Sequence, residues 1–179
     1  MVCILGMVKN RLQQAFSLIE ILFVLAIFSI MLLMLVPNKR VLVGKNRALS
    51  YVNELRSALQ FTRISAIKFG EPVIFCGSKD HKSCDDRWDE GRIVITRSNK
   101  VLRVFPKVFA GDKLIWQGSI LAKDQITFLP NGATKEQRGH FYYCFGNSPG
   151  DGLAVILEAT GRVRISDKTP DNKTISCNF

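Results

Sequence analysis

Between Phe16 and Val36 the chain holds 21 consecutive residues, of which Glu20 is the one charged member. As a helix rising about 1.5 Å per residue this run reaches roughly 31 Å, close to the ~30 Å hydrocarbon thickness of a bilayer. It therefore predicts a transmembrane helix over 16–36. Beyond Pro37 the period changes. Ala48, Val52, Leu55, Leu59, Thr62, Ala66 and Phe69 recur at alternating spacings of four and three, the apolar stripe of an amphipathic helix. Lys45, Arg47, Arg56 and Arg63 fall on the other face, read as solvated. Gly70 supplies a stop and Pro72 prevents continuation, so 37–70 reads as an amphipathic continuation of the first helix.

From Val73 onward the pattern is one of short strands. Candidates are 73–76 (VIFC), 92–97 (RIVITR), 101–105 (VLRVF), 126–129 (ITFL), 141–145 (FYYCF), 153–158 (LAVILE) and 162–166 (RVRIS). Turn formers such as SNK, PNG, GNSPGDG and TG separate them. No strand alternates with a helix, which argues against a parallel sheet. The fold class expected is α+β: a long N-terminal helix, transmembrane in its first part, packed on an antiparallel sheet or sandwich. Residues 71–179 form the β-rich head.

Charge orients this arrangement. Lys9 and Arg11 precede the apolar run with no acid beside them, and under the positive-inside rule they stay cytoplasmic while the head lies on the far side. A secretory signal places small residues after a shorter apolar core; here the small residue, Ala15, comes before it. Either Met1 or Met7 is compatible with translation start. The formal charge is +10, and loss of Lys9 and Arg11 takes it to +8. Such a balance favours a polyanionic partner: DNA, acidic glycans or lipid headgroups.

Of the five cysteines, Cys3 precedes the apolar run and four lie in the head. An even count outside the cytoplasm predicts two disulfides with three connectivities open, chain order favouring Cys76–Cys84 and Cys144–Cys177. The competing reading, a metal site of Cys76, His81 and Cys84, has only three loosely spaced ligands.

Glu20 poses the sharpest question. A carboxylate in a membrane helix costs on the order of 3 kcal/mol. Cutting between Ala15 and Phe16 would place a new ammonium one helical turn from Glu20, neutralising it within a subunit or between packed subunits. The alternative is that Glu20 snorkels to the interface. At these residues, a basic leader followed by a small residue and Phe-Ser-Leu-Ile-Glu, the chain resembles the type IV pilins and the pseudopilins of type II secretion. Ala15 stands where that family usually has glycine. Pro37 falls where its members often carry a helix-kinking proline. The resemblance implies removal of leader 1–15 by a prepilin peptidase, N-methylation of Phe16, and filament assembly guided by Glu20. It implies a single-pass inner-membrane protein with its head in the periplasm, later part of an extracellular pilus. The strands of the head resemble the FimT/GspH group.

No catalytic constellation emerges. His81 and His140 sit in no nucleophile or metalloprotease motif. Asp85 to Glu90 (DDRWDE) lacks the spacing and glycine of a calcium loop. No enzyme, metal or cofactor is expected. The segment that invites a ligand is Gly161-Arg162-Val163-Arg164. In a strand Arg162 and Arg164 project from one face roughly 7 Å apart, and two guanidiniums so placed suit phosphate oxygens. Lys168 and Lys173 extend the patch. Arg138, Arg162, Arg164, Lys168 and Lys173 are nonetheless offset by Asp151, Glu158, Asp167 and Asp171, so the region fits an ordinary solvent-facing strand as well. GRVR also resembles the Gly-Arg-x-Arg motif of FimT-type minor pilins, which bind DNA in natural transformation. The resemblance thus implies a minor pilin capturing extracellular double-stranded DNA through phosphate contacts. The alternative is a structural minor pilin or GspH-like pseudopilin with no nucleic-acid ligand. Partners expected are DNA, other pilin subunits, the prepilin peptidase and, before assembly, the inner membrane.

Overall fold

A computed structural model describes residues 17–34, 39–119, 124–146 and 150–177, and the chain divides into two compact units, Met1–Lys39 and Arg40–Phe179. Leader 1–15, the proposed cleavage pair Ala15 and Phe16, Pro37, and positions 147–149 of the GNSPGDG turn lie outside the described residues.

Helix α1 spans Leu18–Met34. The carbonyl of Ser17 accepts the amides of Glu20 at 3.0 Å and Ile21 at 3.3 Å. Ser17 and Glu20 thus carry the spacing of a capping box, and the acid sits in the first turn, where the helix dipole favours negative charge. The side chains of 17–32 are exposed.

The expected transmembrane helix over 16–36, and with it the single-pass inner-membrane anchor, is not found among the described residues. At 17 residues α1 is about 26 Å long, short of the ~30 Å hydrocarbon layer. The second helix, α2 (Lys39–Phe69), has the length but carries basic residues throughout. Among the described residues no helix is long and apolar enough to cross a membrane.

Within the second unit, α2 buries a stripe wider than its strict four-three pattern. Ala48, Val52, Leu55, Leu59, Thr62 and Ala66 are buried, joined by Tyr51, Ala58 and Ser65. Phe69, expected on the stripe, is 49% exposed at the helix end. The helix closes at Gly70, whose φ of 67° is the left-handed cap conformation and whose amide donates to Ala66 O at 3.0 Å.

Among the described residues eight strands follow: β1 (Val73–Gly77), β2 (Arg92–Thr96), β3 (Val101–Phe105), β4 (Lys113–Gly118), β5 (Gln125–Phe128), β6 (Gly139–Cys144), β7 (Gly152–Leu157) and β8 (Val163–Ser166). They form two antiparallel sheets, ordered β3-β2-β1-β5 and β4-β6-β7-β8. Strand β4 was not among the sequence candidates, although its Leu-Ile-Trp run sits between Gly111-Asp112 and Gly118-Ser119. The chain enters the second sheet at β4, returns to the first at β5, and re-enters the second at β6. Inward residues of both sheets, among them Phe75, Val94, Phe128, Phe141, Tyr143 and Val155, share one core with the α2 stripe. Aromatic rings bind the layers: Phe141 lies 5.0 Å from Trp88, 4.4 Å from Trp116 and 6.4 Å from Phe75, centroid to centroid. Each such pair adds about 0.5–1.5 kcal/mol beyond its buried area. The free edge of β5 is closed by the buried Gln137, whose Oε1 accepts from Thr127 N and whose Nε2 donates to Gln125 O. That removes an edge on which another chain would otherwise pair.

Disulfides join Cys76 to Cys84 and Cys144 to Cys177. Cys76 and Cys84 therefore present no thiolate to a metal, and no metal-ligand cluster occurs among the described residues.

One polar chain runs through the core. Arg47 Nη2 donates to Asp112 Oδ1 at 2.7 Å, and Tyr143 donates its hydroxyl to Asp112 Oδ2. Burial, then the neighbouring Asp112, raises the Tyr143 hydroxyl well above the ordinary tyrosine range. Tyr143 stacks on Tyr51 at 4.3 Å, and the Arg92 guanidinium lies 4.8 Å from the Tyr51 ring. Arg92 is 2% exposed and donates to Pro106 O at 2.9 Å. Burial pulls its pKa down to about 10, so it stays charged at neutral pH. We expect Asp112→Ala, which strands Tyr143 and Arg47, to lower unfolding free energy by about 2–3 kcal/mol in a denaturant titration.

Candidate functional site

The turn from β7 to β8 is built by Glu158-Ala159-Thr160-Gly161. Gly161 N donates to Glu158 O at 2.9 Å and Glu158 N to Arg162 O at 3.0 Å. Gly161 has φ of 78°, and a Cβ there would stand 2.2 Å from the carbonyl oxygen of Gly132. Its role is conformational. Arg63, on α2, donates from Nη1 to Gly161 O at 3.3 Å, so the helix holds the turn from beneath. A second contact comes from Thr134, whose amide and hydroxyl both donate to Ala159 O.

Strand β8 then alternates. Val163 is buried and Arg162 and Arg164 are exposed, which puts both guanidiniums on the outer face of the second sheet. Neither takes part in an ion pair among the described residues. Arg164 is paired with Ile156, Ile156 with His140, and His140 with Gln117. These four residues form one cross-strand row on the same face.

The chain beyond β8 folds over part of this face. Lys168 bridges Thr174, Thr169 N donates to Lys173 O at 2.9 Å, and Gly150 N donates to Ile175 O at 3.1 Å. Ile175 and Cys177 pack on Cys144, Ala154 and Ile156, with the Cys144–Cys177 disulfide fastening the segment. Lys168 and Lys173 are exposed on it, as are Asp167 and Asp171.

Between this segment and the β4–β6 end of the sheet lies a groove of about 770 Å³, lined by residues including Gln117, Arg138, His140, Tyr142, Glu158 and Asp171. His140 Nε2 donates to Gln117 Oε1 at 3.2 Å, and its ring centroid is 4.5 Å from that of Tyr142. Burial lowers the His140 pKa, opposed by the nearby Asp171. Burial, then Asp171, raises the Tyr142 hydroxyl. The sequence reading passed over this groove because its residues are scattered from 117 to 171 and none belongs to a motif. Elsewhere, Asp85 accepts from Lys79 N and Arg87 N, so part of the DDRWDE stretch is a hydrogen-bonded turn that directly follows the Cys76–Cys84 loop. Glu20 stands on α1, and Ala15 and Phe16 fall outside the described residues.

Residues 51–161 match the family model of the type II transport protein GspH, and residues 10–36 match the prokaryotic N-terminal methylation motif. The chain belongs to the GspH family. It is a pilin-like protein, and the non-catalytic character of that family agrees with the absence of an enzymatic motif in the sequence. Two crystal structures of the type IV minor pilin FimU of Pseudomonas aeruginosa strain PAO1 share its fold. One has a TM-score of 0.55 at 22% identity, covering 74% of this chain and 96% of that one. The other has a TM-score of 0.52 at 21% identity, covering 72% and 98%. No curated protein matches at a significant level.

The GspH span ends at Gly161, so Arg162 and Arg164 lie just beyond it. What they do rests on their own placement. Because Gly161 carries both a left-handed φ and a close approach, we expect Gly161→Ala to cost about 2 kcal/mol or more of stability. Arg162→Ala on the exposed face should cost within about 0.5 kcal/mol by the same thermal or denaturant measurement.

Proposed function

We propose that this chain is a structural subunit of a pilin-type filament, a minor pilin or pseudopilin. The observation that carries the reading is the order of its two matched regions: a methylation motif over 10–36, then a GspH head over 51–161. Physical chemistry supports it. Large apolar side chains of α1, such as Leu18, Phe23 and Phe28, are 58–78% exposed, and a helix so apolar finds its stable state packed against others like it. Cleavage between Ala15 and Phe16 would leave the Phe16 ammonium one turn from Glu20. Glu20 would then guide docking by pairing with that ammonium on the same or a neighbouring subunit. Filaments sheared from the native cell should contain the chain, with mass spectrometry giving N-methylated Phe16 as its first residue. A chain recovered with Met1 or Met7 still in place would overturn the reading.

A second reading concerns what the filament carries. Exposed Arg162 and Arg164, with Gly161 shaping the turn and Lys168 and Lys173 on the adjoining segment, favour a phosphate-binding surface for double-stranded DNA, used in uptake. In a mobility-shift assay, Arg162→Gln with Arg164→Gln should abolish DNA retention with no change in melting temperature. Single substitutions should reduce the salt slope of binding by about one each. Undiminished retention by the double variant would leave the structural role alone.

A further inference from the structure

Between Lys45 and Lys68 the exposed positions of α2 include no carboxylate. Lys45, Arg56 and Lys68 supply charge, Leu49, Ile64 and Ile67 supply apolar area, and the others are uncharged polar residues. Two of those polar side chains already bond within the helix. Ser50 Oγ donates to Asn46 O at 3.1 Å and Asn53 Nδ2 to Leu49 O at 2.8 Å, so covering them costs little. The single acid of the helix, Glu54, is half-buried and feels the charge of Arg103. Lys45 borders a recess that contains Asp151 and Asp167, and Lys68 lies 5.9 Å from the Phe69 ring. Arg56, midway along the face, forms no ion pair among the described residues.

The opposite chemistry stands elsewhere on the head. A cavity of about 280 Å³ has Asp86, Asp89 and Asp124 on its walls beside Trp88, Leu114 and Trp116, with no lysine or arginine among its described lining residues. The neighbouring cations are engaged: Lys79 and Arg87 both reach Glu90, at 3.6 and 3.8 Å. Asp86, Asp89 and Asp124 take part in no ion pair among the described residues. The turn that carries the first two is fixed in place. Asp85 accepts from its backbone, Val108 N donates to Asp89 O at 2.9 Å, and a Cβ on Gly77 would stand 2.9 Å from Trp88 N. Carboxylates against aromatic walls suit a guanidinium, whose planar fork pairs with carboxylate oxygens and stacks on rings.

We infer that the outer face of α2 docks on a second copy of this chain, with Arg56 entering the neighbour's Asp86, Asp89 and Asp124 cavity. Charge complementarity selects that occupant, since one chain displays both halves of the contact. The two surfaces share no residue, so the contact is head-to-tail and propagates as an open filament rather than closing into a dimer. The inference rests on the filament reading above and adds which surfaces of the head meet.

The test uses the intact chain in mild detergent, with micelles in excess so that α1 is shielded. Arg56→Lys keeps the charge and supplies an amine for zero-length carbodiimide coupling. In a mixture of isotope-labelled and unlabelled Arg56→Lys chains, peptide mapping should find mixed-isotope links from position 56 to Asp86, Asp89 or Asp124. By sedimentation, Arg56→Glu should weaken association of the otherwise native chain about tenfold or more, as should Asp86→Arg with Asp89→Arg. Mixing those two variants should restore association, with melting temperatures unchanged throughout. Absence of mixed-isotope links at these positions, association indifferent to both reversals, or no rescue in the mixture overturns the contact. Filaments bearing methylated Phe16 would then leave the filament reading standing. Links from position 56 to a different protein in sheared filaments, with none between copies, overturn the second copy as occupant.

Discussion

Helix α2 must bury one stripe against two separate sheets at once, and most of the head follows from that requirement. The stripe combines small residues, Ala48, Ala58 and Ala66, with the larger Tyr51, Leu55 and Leu59. A strand layer can meet such a surface only by presenting alternate apolar residues, as Val73, Phe75, Phe141 and Val155 do. Phe141, touching Phe75, Trp88 and Trp116, ties the two sheets to each other as well as to the helix side of the core. Displacing the helix would uncover both inner faces together.

The same helix reaches the candidate site. Its Arg63 donates to the carbonyl of Gly161, and the Gly161 turn leads directly into Arg162 and Arg164. The arginine pair is thus set by a chain of contacts that begins in the core. At the opposite end of α2, Arg47 meets Asp112, which also accepts the Tyr143 hydroxyl. Arg92, held by Pro106 O and the Tyr51 ring, is a buried charge that forms no ion pair among the described residues. Such a group costs stability, as its lowered pKa reflects, and the aromatic face and carbonyl offset part of that cost.

The proposed functions divide along the chain in the same way. Apolar α1, with Glu20 in its first turn, suits association among subunits. The outer face of the second sheet, with its exposed arginines and neighbouring groove, suits recognition. The Cys144–Cys177 disulfide closes a long loop and pins residues 168–177 over part of that face, which gives the groove one of its walls.

Local chemistry was legible from residue order alone. The α2 stripe, its stop at Gly70, seven of the eight strands and the outward alternation of Arg162 and Arg164 all depend on periodicity and turn residues within a few positions of each other. Apolarity without a period misled where it stood alone: the run from Phe16 to Val36 predicts a membrane crossing, and among the described residues no helix is long and apolar enough to make one. Only tertiary structure decided the rest. Partition into two sheets, with β5 beside β1 and β4 beside β6, depends on non-local pairing energies that no window of sequence contains. The groove arises because that pairing places Gln117, His140 and Ile156 in one row, residues whose separation along the chain hides a separation in space of only a few strand widths.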